Sequence, residues 1–259
     1  MKFAGFPKFA LLSVLAGVFA LVLTGCGASS NLNLTQGNWS MTATPSGGGT
    51  FYIGGNLTQS GTNLVGTMYV VNSNCYSPSQ TVAFTGTVKG NNVALTSANV
   101  GGEVITVAGS GTAGSLTGTY SIAGGTTCNG DGGTLTGTPV PSISATWSGP
   151  IVSQGGSNVT LALALTQATT ASSDGTFAIT GTGTYTNSTC FSTATITSAF
   201  VAGPYLIVNG TTDDGGNFSY TDVLLNSSAA PTSMKGTYQV SDAGGTCNGD
   251  LDSPTFTKQ

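Results

Sequence analysis

Five cysteines and nine carboxylates are the side chains here whose types could do chemistry, because the 259-residue chain contains no histidine and no arginine. Without an imidazole neither a Ser-His-Asp triad nor a Cys-His pair can be assembled, so acid–base work would fall to paired carboxylates. Asp131 and Asp250 hold matching places in Cys128-Asn129-Gly130-Asp131 and Cys247-Asn248-Gly249-Asp250. Following Asn-Gly, each reads as a turn residue. Asp213-Asp214-Gly215-Gly216-Asn217 clusters the oxygens that hard cations take, but it lacks the ligand spacing of a known calcium loop. A hairpin turn is expected there instead. The cysteines lie far apart with no Cys-x-x-Cys, which excludes a zinc-finger pattern. No catalytic residue, no metal ligand and no cofactor is therefore expected, and the chain is read as a non-enzyme. Thr180, Thr182 and Thr184 fall on one strand face. Such a hydroxyl array suits carbohydrate or ordered water, although a solvated face rich in β-formers has the same composition.

The elements that carry these residues come in two copies. Gly118-Thr119-Tyr120 leads to the first Cys-Asn-Gly-Asp, and Gly236-Thr237-Tyr238 leads to the second. A strand, a turn and the same tetrapeptide in the same order indicate a tandem duplication. Extended backwards, the match pairs Cys75 with Cys190 and Trp39 with Trp147. Each copy, of about 110 residues, has the usual size of a domain with its own core. Period two dominates both: Val82, Phe84, Gly86 and Val88 alternate with Thr and Ala, and Val159, Leu161, Leu163 and Leu165 form a similar run. Such alternation, broken by Ser60-Gly61-Thr62-Asn63, Gly90-Asn91-Asn92 or Asp131-Gly132-Gly133, predicts half-buried antiparallel strands. About eight strands fit between Trp39 and Val140. Gly66, Gly86, Gly118 and Gly137 share the phase of the apolar residues; inward glycines allow the sharp coiling that a closed barrel needs. Both tryptophans precede both cysteines of their copy, unlike an immunoglobulin sandwich, which places Trp between them.

The first 25 residues read as an export signal: two lysines up to Lys8, an apolar run from Phe9 to Leu23, and small residues before Cys26. This almost wholly apolar run of fifteen residues falls short of the roughly 20 that a membrane span needs, so cleavage is expected. Leu23-Thr24-Gly25-Cys26 resembles the lipobox of bacterial lipoproteins. That resemblance implies a diacylglycerol thioether on Cys26, an acylated (palmitate-bearing) mature N-terminus, and, with Gly27 rather than Asp next, delivery to the outer membrane. Each buried methylene contributes about 0.8 kcal/mol, so two or three acyl chains make a lasting anchor to the lipid bilayer. Loss of Lys2 and Lys8 leaves three lysines against nine acids, a net charge near −6. Three scattered lysines give no footprint for phosphate neutralisation, so no nucleic acid partner is expected.

With Cys26 assigned to lipid, four cysteines remain and allow three pairings. The repeat favours Cys75–Cys128 and Cys190–Cys247, which close each copy within itself, and an oxidising compartment lets such bridges persist. Gly37-Asn38-Trp39 ahead of a β-meander, with Leu116-Thr117-Gly118-Thr119-Tyr120 later, resembles the lipocalin and avidin group of eight-stranded barrels. The resemblance implies that the early tryptophan, Trp39 and by repeat Trp147, packs across one barrel end; the second copy reads Ala145-Thr146-Trp147 instead. The expected architecture is thus all-β: two tandem antiparallel up-and-down β-barrel-like domains after an N-terminal signal helix. Its segments are a signal peptide over 1–25, a flexible tether over 26–36, domain 1 over 37–138, a Pro139-Val140-Pro141 linker within 139–142, and domain 2 over 143–259. The function expected is that of a membrane-anchored envelope lipoprotein, with two alternatives for its work: a module binding a small ligand or glycan, or a structural or protein-interaction lipoprotein. A hollow barrel would favour the first; an interior filled by Trp, Phe and Leu would count against it. A hydrolase using Asp stands behind both, since it would need convergent carboxylates in a cleft.

Overall fold

The computed structural model describes residues 31–76, 80–156, 158–225, 231–241 and 247–259, with the backbone alone at 222–224. The expected signal helix, Cys26 and the first five residues of the tether, 26–30, lie outside the described residues. Eight strands follow in order: β1 (Gly37–Pro45), β2 (Phe51–Ser60), β3 (Asn63–Val71), β4 (Gln80–Lys89), β5 (Asn92–Ser97), β6 (Glu103–Thr112), β7 (Ser115–Gly124) and β8 (Gly132–Pro139). Each pairs antiparallel with the next, and β8 returns to β1, closing an up-and-down barrel. The cause is visible in the alternation. In β5, Val93, Leu95 and Ser97 are buried while Asn92, Ala94 and Thr96 face solvent.

The loops at the two ends of this barrel differ. Ser60↔Asn63, Lys89↔Asn92 and Thr112↔Ser115 each flank a two-residue turn containing glycine, the loop length that fits the twist of paired strands. The connections at the opposite end are all longer. Inside, Trp39, Met41, Ile53, Leu57, Leu64, Met68 and Phe84 are each at most 2% exposed. They form one continuous cluster along the barrel axis. The strands approach so closely around this core that a Cβ on Gly118 would sit 2.2 Å from the Ala108 carbonyl oxygen and 2.5 Å from the Gly109 Cα. Only a Gly–Gly pair permits that crossing.

The second barrel repeats the plan with a broken last strand. It comprises β9 (Ala145–Ile151), β10 (Val159–Gln167), β11 (Phe177–Thr186), β12 (Thr193–Ala202), β13 (Tyr205–Thr212), β14 (Asn217–Leu225) and β15 (Ser233–Ser241), with β16 (Leu251–Asp252) and β17 (Thr255–Lys258) sharing the eighth position. β15 pairs with β14 on one edge and with β16 and β17 on the other, and β17 pairs with β9. Pro254 interrupts the eighth strand because it has no N–H to give the ladder. Its core is a separate cluster centred on Trp147, Leu163, Tyr220, Tyr238 and Phe256.

The copies differ by a compensating exchange at one cross-strand position. Barrel 1 sets Met41 opposite Gly137. Barrel 2 pairs Ser148 with Thr257, which places Gly149 opposite Phe256. A Cβ on Gly149 would lie 2.6 Å from the Phe256 ring. The large side chain thus comes from the first strand in one copy and from the eighth in the other, and total volume is kept.

The structure corrects the expected tether at its C-terminal half. Leu34 is buried, and the Leu32 and Thr35 amides donate to Gly90 O and Ala113 O at 2.9 and 2.8 Å. Leu32 and Leu34 alternate like strand residues and bury apolar surface, so 32–36 belongs to barrel 1. Residues of the expected linker are held as well: Pro139 pairs with Trp39, and the Val140 amide donates to Asn38 O at 2.7 Å.

Candidate functional site

Trp39 sits at the short-loop end of barrel 1 and Trp147 at the matching end of barrel 2, both fully buried. Each indole N–H donates to a carbonyl four residues earlier, Thr35 O at 2.6 Å and Ile143 O at 2.8 Å. Burial of an indole requires such a partner, and here the chain entering each barrel supplies it. The entering segments are pinned in turn by the Leu34 amide on Gln59 Oε1 and the Ile143 amide on Gln167 Oε1, at 2.8 and 3.0 Å. One end of each barrel is therefore plugged by tryptophan and a strap of backbone.

The opposite end is stapled. Cys75 bonds Cys128 with Cα atoms 5.6 Å apart, and Cys190 bonds Cys247 at 6.2 Å. In each barrel the bridge joins the loop after the third strand to the loop after the seventh. Aromatic rings pack beneath it: Phe51 on Tyr120 edge-to-face at 5.3 Å in barrel 1, and Tyr185 on Phe191 at 4.4 Å in barrel 2. The Tyr185 and Tyr238 hydroxyls meet at 3.2 Å, and burial holds both phenols well above the ordinary tyrosine range.

The aspartates act locally. Tyr120 donates its hydroxyl to Asp131 Oδ2 at 3.2 Å, and the Gly132 amide donates to Oδ1 at 2.8 Å. Asp250 accepts the Gln154 amide at 3.1 Å. The repeat-matched carboxylates thus serve separate barrel ends and do not converge. Asp213 accepts the Ser192 hydroxyl at 2.5 Å and the Ser192 and Thr193 amides, and these bonds, the hydroxyl first, lower its pKa from the ordinary 3.8. Asp214 accepts the Thr212 hydroxyl and the Gly216 amide. Asp213 thus ties the β13–β14 turn to the start of β12, and Asp214 closes the turn on itself. Thr180, Thr182 and Thr184 all face solvent, and Thr182 and Thr184 stand opposite Thr195 and Thr193 of β12.

What the repeat does not announce is a seam between the barrels. Asn38 is buried, and its side-chain amide donates to Gly203 O at 3.2 Å while its Oδ1 accepts the Gly203 amide at 2.6 Å. The Asn56 amide donates to Gly175 O at 3.0 Å, and Tyr69 packs on Phe200 with ring centroids 5.4 Å apart. Gly203, at φ +58°, lies against Gly54; a Cβ on it would stand 2.5 Å from the Gly54 Cα. Glycine is needed there both for the conformation and for the approach. The β10–β11 and β12–β13 loops of barrel 2 thereby press end-on against the β1–β3 flank of barrel 1. Beside this junction Thr35, Gln36, Asn38, Gly114, Thr138 and Pro139 to Pro141 line a cleft of about 530 Å³. Comparison of the chain with known protein families, with curated proteins and with solved structures returned no match.

Proposed function

We propose that the chain is a non-catalytic lipoprotein of the bacterial envelope, anchored in the outer membrane through acylated Cys26, that works through the outer surfaces of its paired barrels as a structural or protein-interaction module. The observation that carries this reading over a ligand carrier is the filled interior of both barrels. Eight-stranded barrels that hold a small ligand keep a cavity along the axis. Here Trp, Phe, Leu and Met occupy it, a tryptophan plugs one end, and a disulfide crosses the other. The seam supports the same reading, since it joins the two barrels into one body with a shared outer surface. Glycan binding would then fall to an outer face such as the threonines of β10 to β12, rather than to a pocket.

The test has two arms. Palmitate labelling is expected on the wild-type chain in a bacterial envelope and to be lost in Cys26→Ser; unchanged labelling would refute the anchor. Titration of the barrels with fatty acids, retinoids and short glycans is expected to leave Trp39 and Trp147 emission unchanged. A stoichiometric, saturable change with a lipophilic ligand would restore the hollow-barrel reading.

A further inference from the structure

The only glutamate of the chain lies at the stapled end of barrel 1. Glu103 opens β6 and is 3% exposed. Its Oε1 accepts the Cys128 amide at 2.9 Å. Its Oε2, like the buried hydroxyl of Tyr76 beside Cys75, has no hydrogen-bond partner among the described residues. Leaving such groups buried and unpaired is costly, and the barrel does not require them. The register that pairs Ile105 with Ile122 in barrel 1 pairs Phe218 with Val240 in barrel 2. Gly216 therefore holds the place of Glu103, and Phe191 follows Cys190 where Tyr76 follows Cys75. Barrel 2 closes around the same bridge with neither oxygen; the unpaired buried oxygen it does hold, Asp250 Oδ2, is on the residue that matches Asp131 and does not join the two sulfurs in a cluster among the described residues.

A carboxylate oxygen of Glu103 and the sulfurs of Cys75 and Cys128 all lie within 4.8 Å of one another. Sulfurs bonded to each other are not zinc ligands, but once the bond is broken and the sulfurs move apart, two thiolates with the carboxylate beside them can supply three corners of a tetrahedral zinc site. The Cys128 amide on Oε1 fixes the carboxylate and leaves Oε2 free, the arrangement that partners of metal ligands provide. Both cysteines are only half-buried and border a cleft of about 240 Å³ with Asn72, Asn74 and Asp131. Cys247 of the other bridge is fully buried.

We propose that reduction of the Cys75–Cys128 bridge converts this end of barrel 1 into a zinc site of two thiolates and Glu103, with the fourth position open to the cleft. The reductant is a dithiol. One of its thiolates attacks a bridge sulfur, the S–S bond breaks, and the second thiol resolves the mixed disulfide. The reductant leaves as its own disulfide, having given two electrons to the pair, and the two cysteines are left as thiols. Zinc then displaces their two protons to solvent. The reduced Cys190–Cys247 pair has no carboxylate at the matching place and serves as the control.

The experiment uses the full chain in detergent, carrying Cys26→Ser so that the bridge cysteines are the only thiols. A trialkylphosphine replaces the dithiol because it competes little for zinc; it takes its oxygen from water and ends as the phosphine oxide. Zinc uptake is titrated against a chromophoric chelator, with far-ultraviolet circular dichroism following the β signal. One zinc per reduced chain is expected and none per oxidised chain. Cys190→Ser/Cys247→Ser keeps the uptake, Cys75→Ser/Cys128→Ser abolishes it, and Glu103→Gln weakens it by about tenfold or more. Equal affinity in Glu103→Gln, or uptake surviving in Cys75→Ser/Cys128→Ser, overturns the proposal. So does a reduced wild-type chain that takes no zinc, or one that loses its β signal and does not regain it with zinc.

Discussion

Exchanging a methionine and a phenylalanine across one strand pair should reveal how far the two barrels are copies of one design. In barrel 2, Phe256 is fully buried, lies opposite Gly149 and packs on Tyr220 with ring centroids 4.8 Å apart. Phe256→Gly removes the whole ring from a closed interior, and truncations of that size cost about 3–5 kcal/mol. Gly149→Met alone forces a side chain into space the ring already fills, with its Cβ 2.6 Å from the ring and 2.4 Å from Thr255 O. Overpacking of this kind costs about 1–3 kcal/mol. Additive losses would bring the double variant to about 4–8 kcal/mol, comparable to the whole stability of a domain. The double variant, however, removes the ring contact and restores the Met/Gly pairing of Met41 and Gly137 in barrel 1, leaving the contact with the Thr255 carbonyl for the strands to relax. We therefore expect a favourable coupling of at least about 1 kcal/mol in the double-mutant cycle. Urea unfolding of the oxidised chain, followed at Trp147 in a Trp39→Phe background, measures it. A double variant as unstable as the sum of its parts would refute the claim that the exchange is compensatory.

Three further outcomes are expected. Removing the barrel 1 bridge with Cys75→Ser/Cys128→Ser, which frees a sequence separation of 53 residues, should lower stability by about 4 kcal/mol in denaturant titration; no loss would mean that the loops hold themselves. Asn38→Ala leaves the Gly203 amide buried without its acceptor and should cost about 1–3 kcal/mol, with the Trp39 and Trp147 unfolding transitions moving apart in single-tryptophan variants; an unchanged midpoint would show the seam to be idle. Because Asp213 has a folded-state pKa below its ordinary value of 3.8, its bonds to Ser192 and Thr193 stabilise the fold above that value and are lost as pH falls through the folded pKa. Asp213→Asn should remove that part of the acid dependence, and an identical acid profile for the variant would contradict the assignment.

Much of the scaffold was legible because its determinants are local or repeated. Period two marked Val82, Phe84 and Val88 as an inward face, and the doubled Cys-Asn-Gly-Asp set Cys75 with Cys128 and Cys190 with Cys247, as the bridges now show. The Gly118 phase pointed to coiling, and the closed barrel uses it at the Gly109 crossing. The entering strap was missed because five residues from Leu32 are too few to show a period, although Leu32 and Leu34 already alternated. The seam left no trace in the sequence. Asn38 and Gly203 are 165 residues apart, and an Asn-Trp pair or a Gly-Pro turn looks the same whether it meets solvent or another barrel. Glu103 did carry a signal, as the one glutamate opening a Val-Ile strand, but a strand-initial acid is commonly exposed, and its burial depends on a loop that the disulfide folds over it.

If the two filled barrels are locked as one body, the Gly203 amide is where the lock can be read. That N–H is bound not by a neighbouring strand but by the Asn38 Oδ1 of the other barrel, at 2.6 Å. Native-state hydrogen exchange by nuclear magnetic resonance should find it protected to the level of mid-strand amides of β1 and β13. Exchange at the rate of an open loop, while those strands stay protected, would mean that the barrels move apart in solution and do not act as one rigid module.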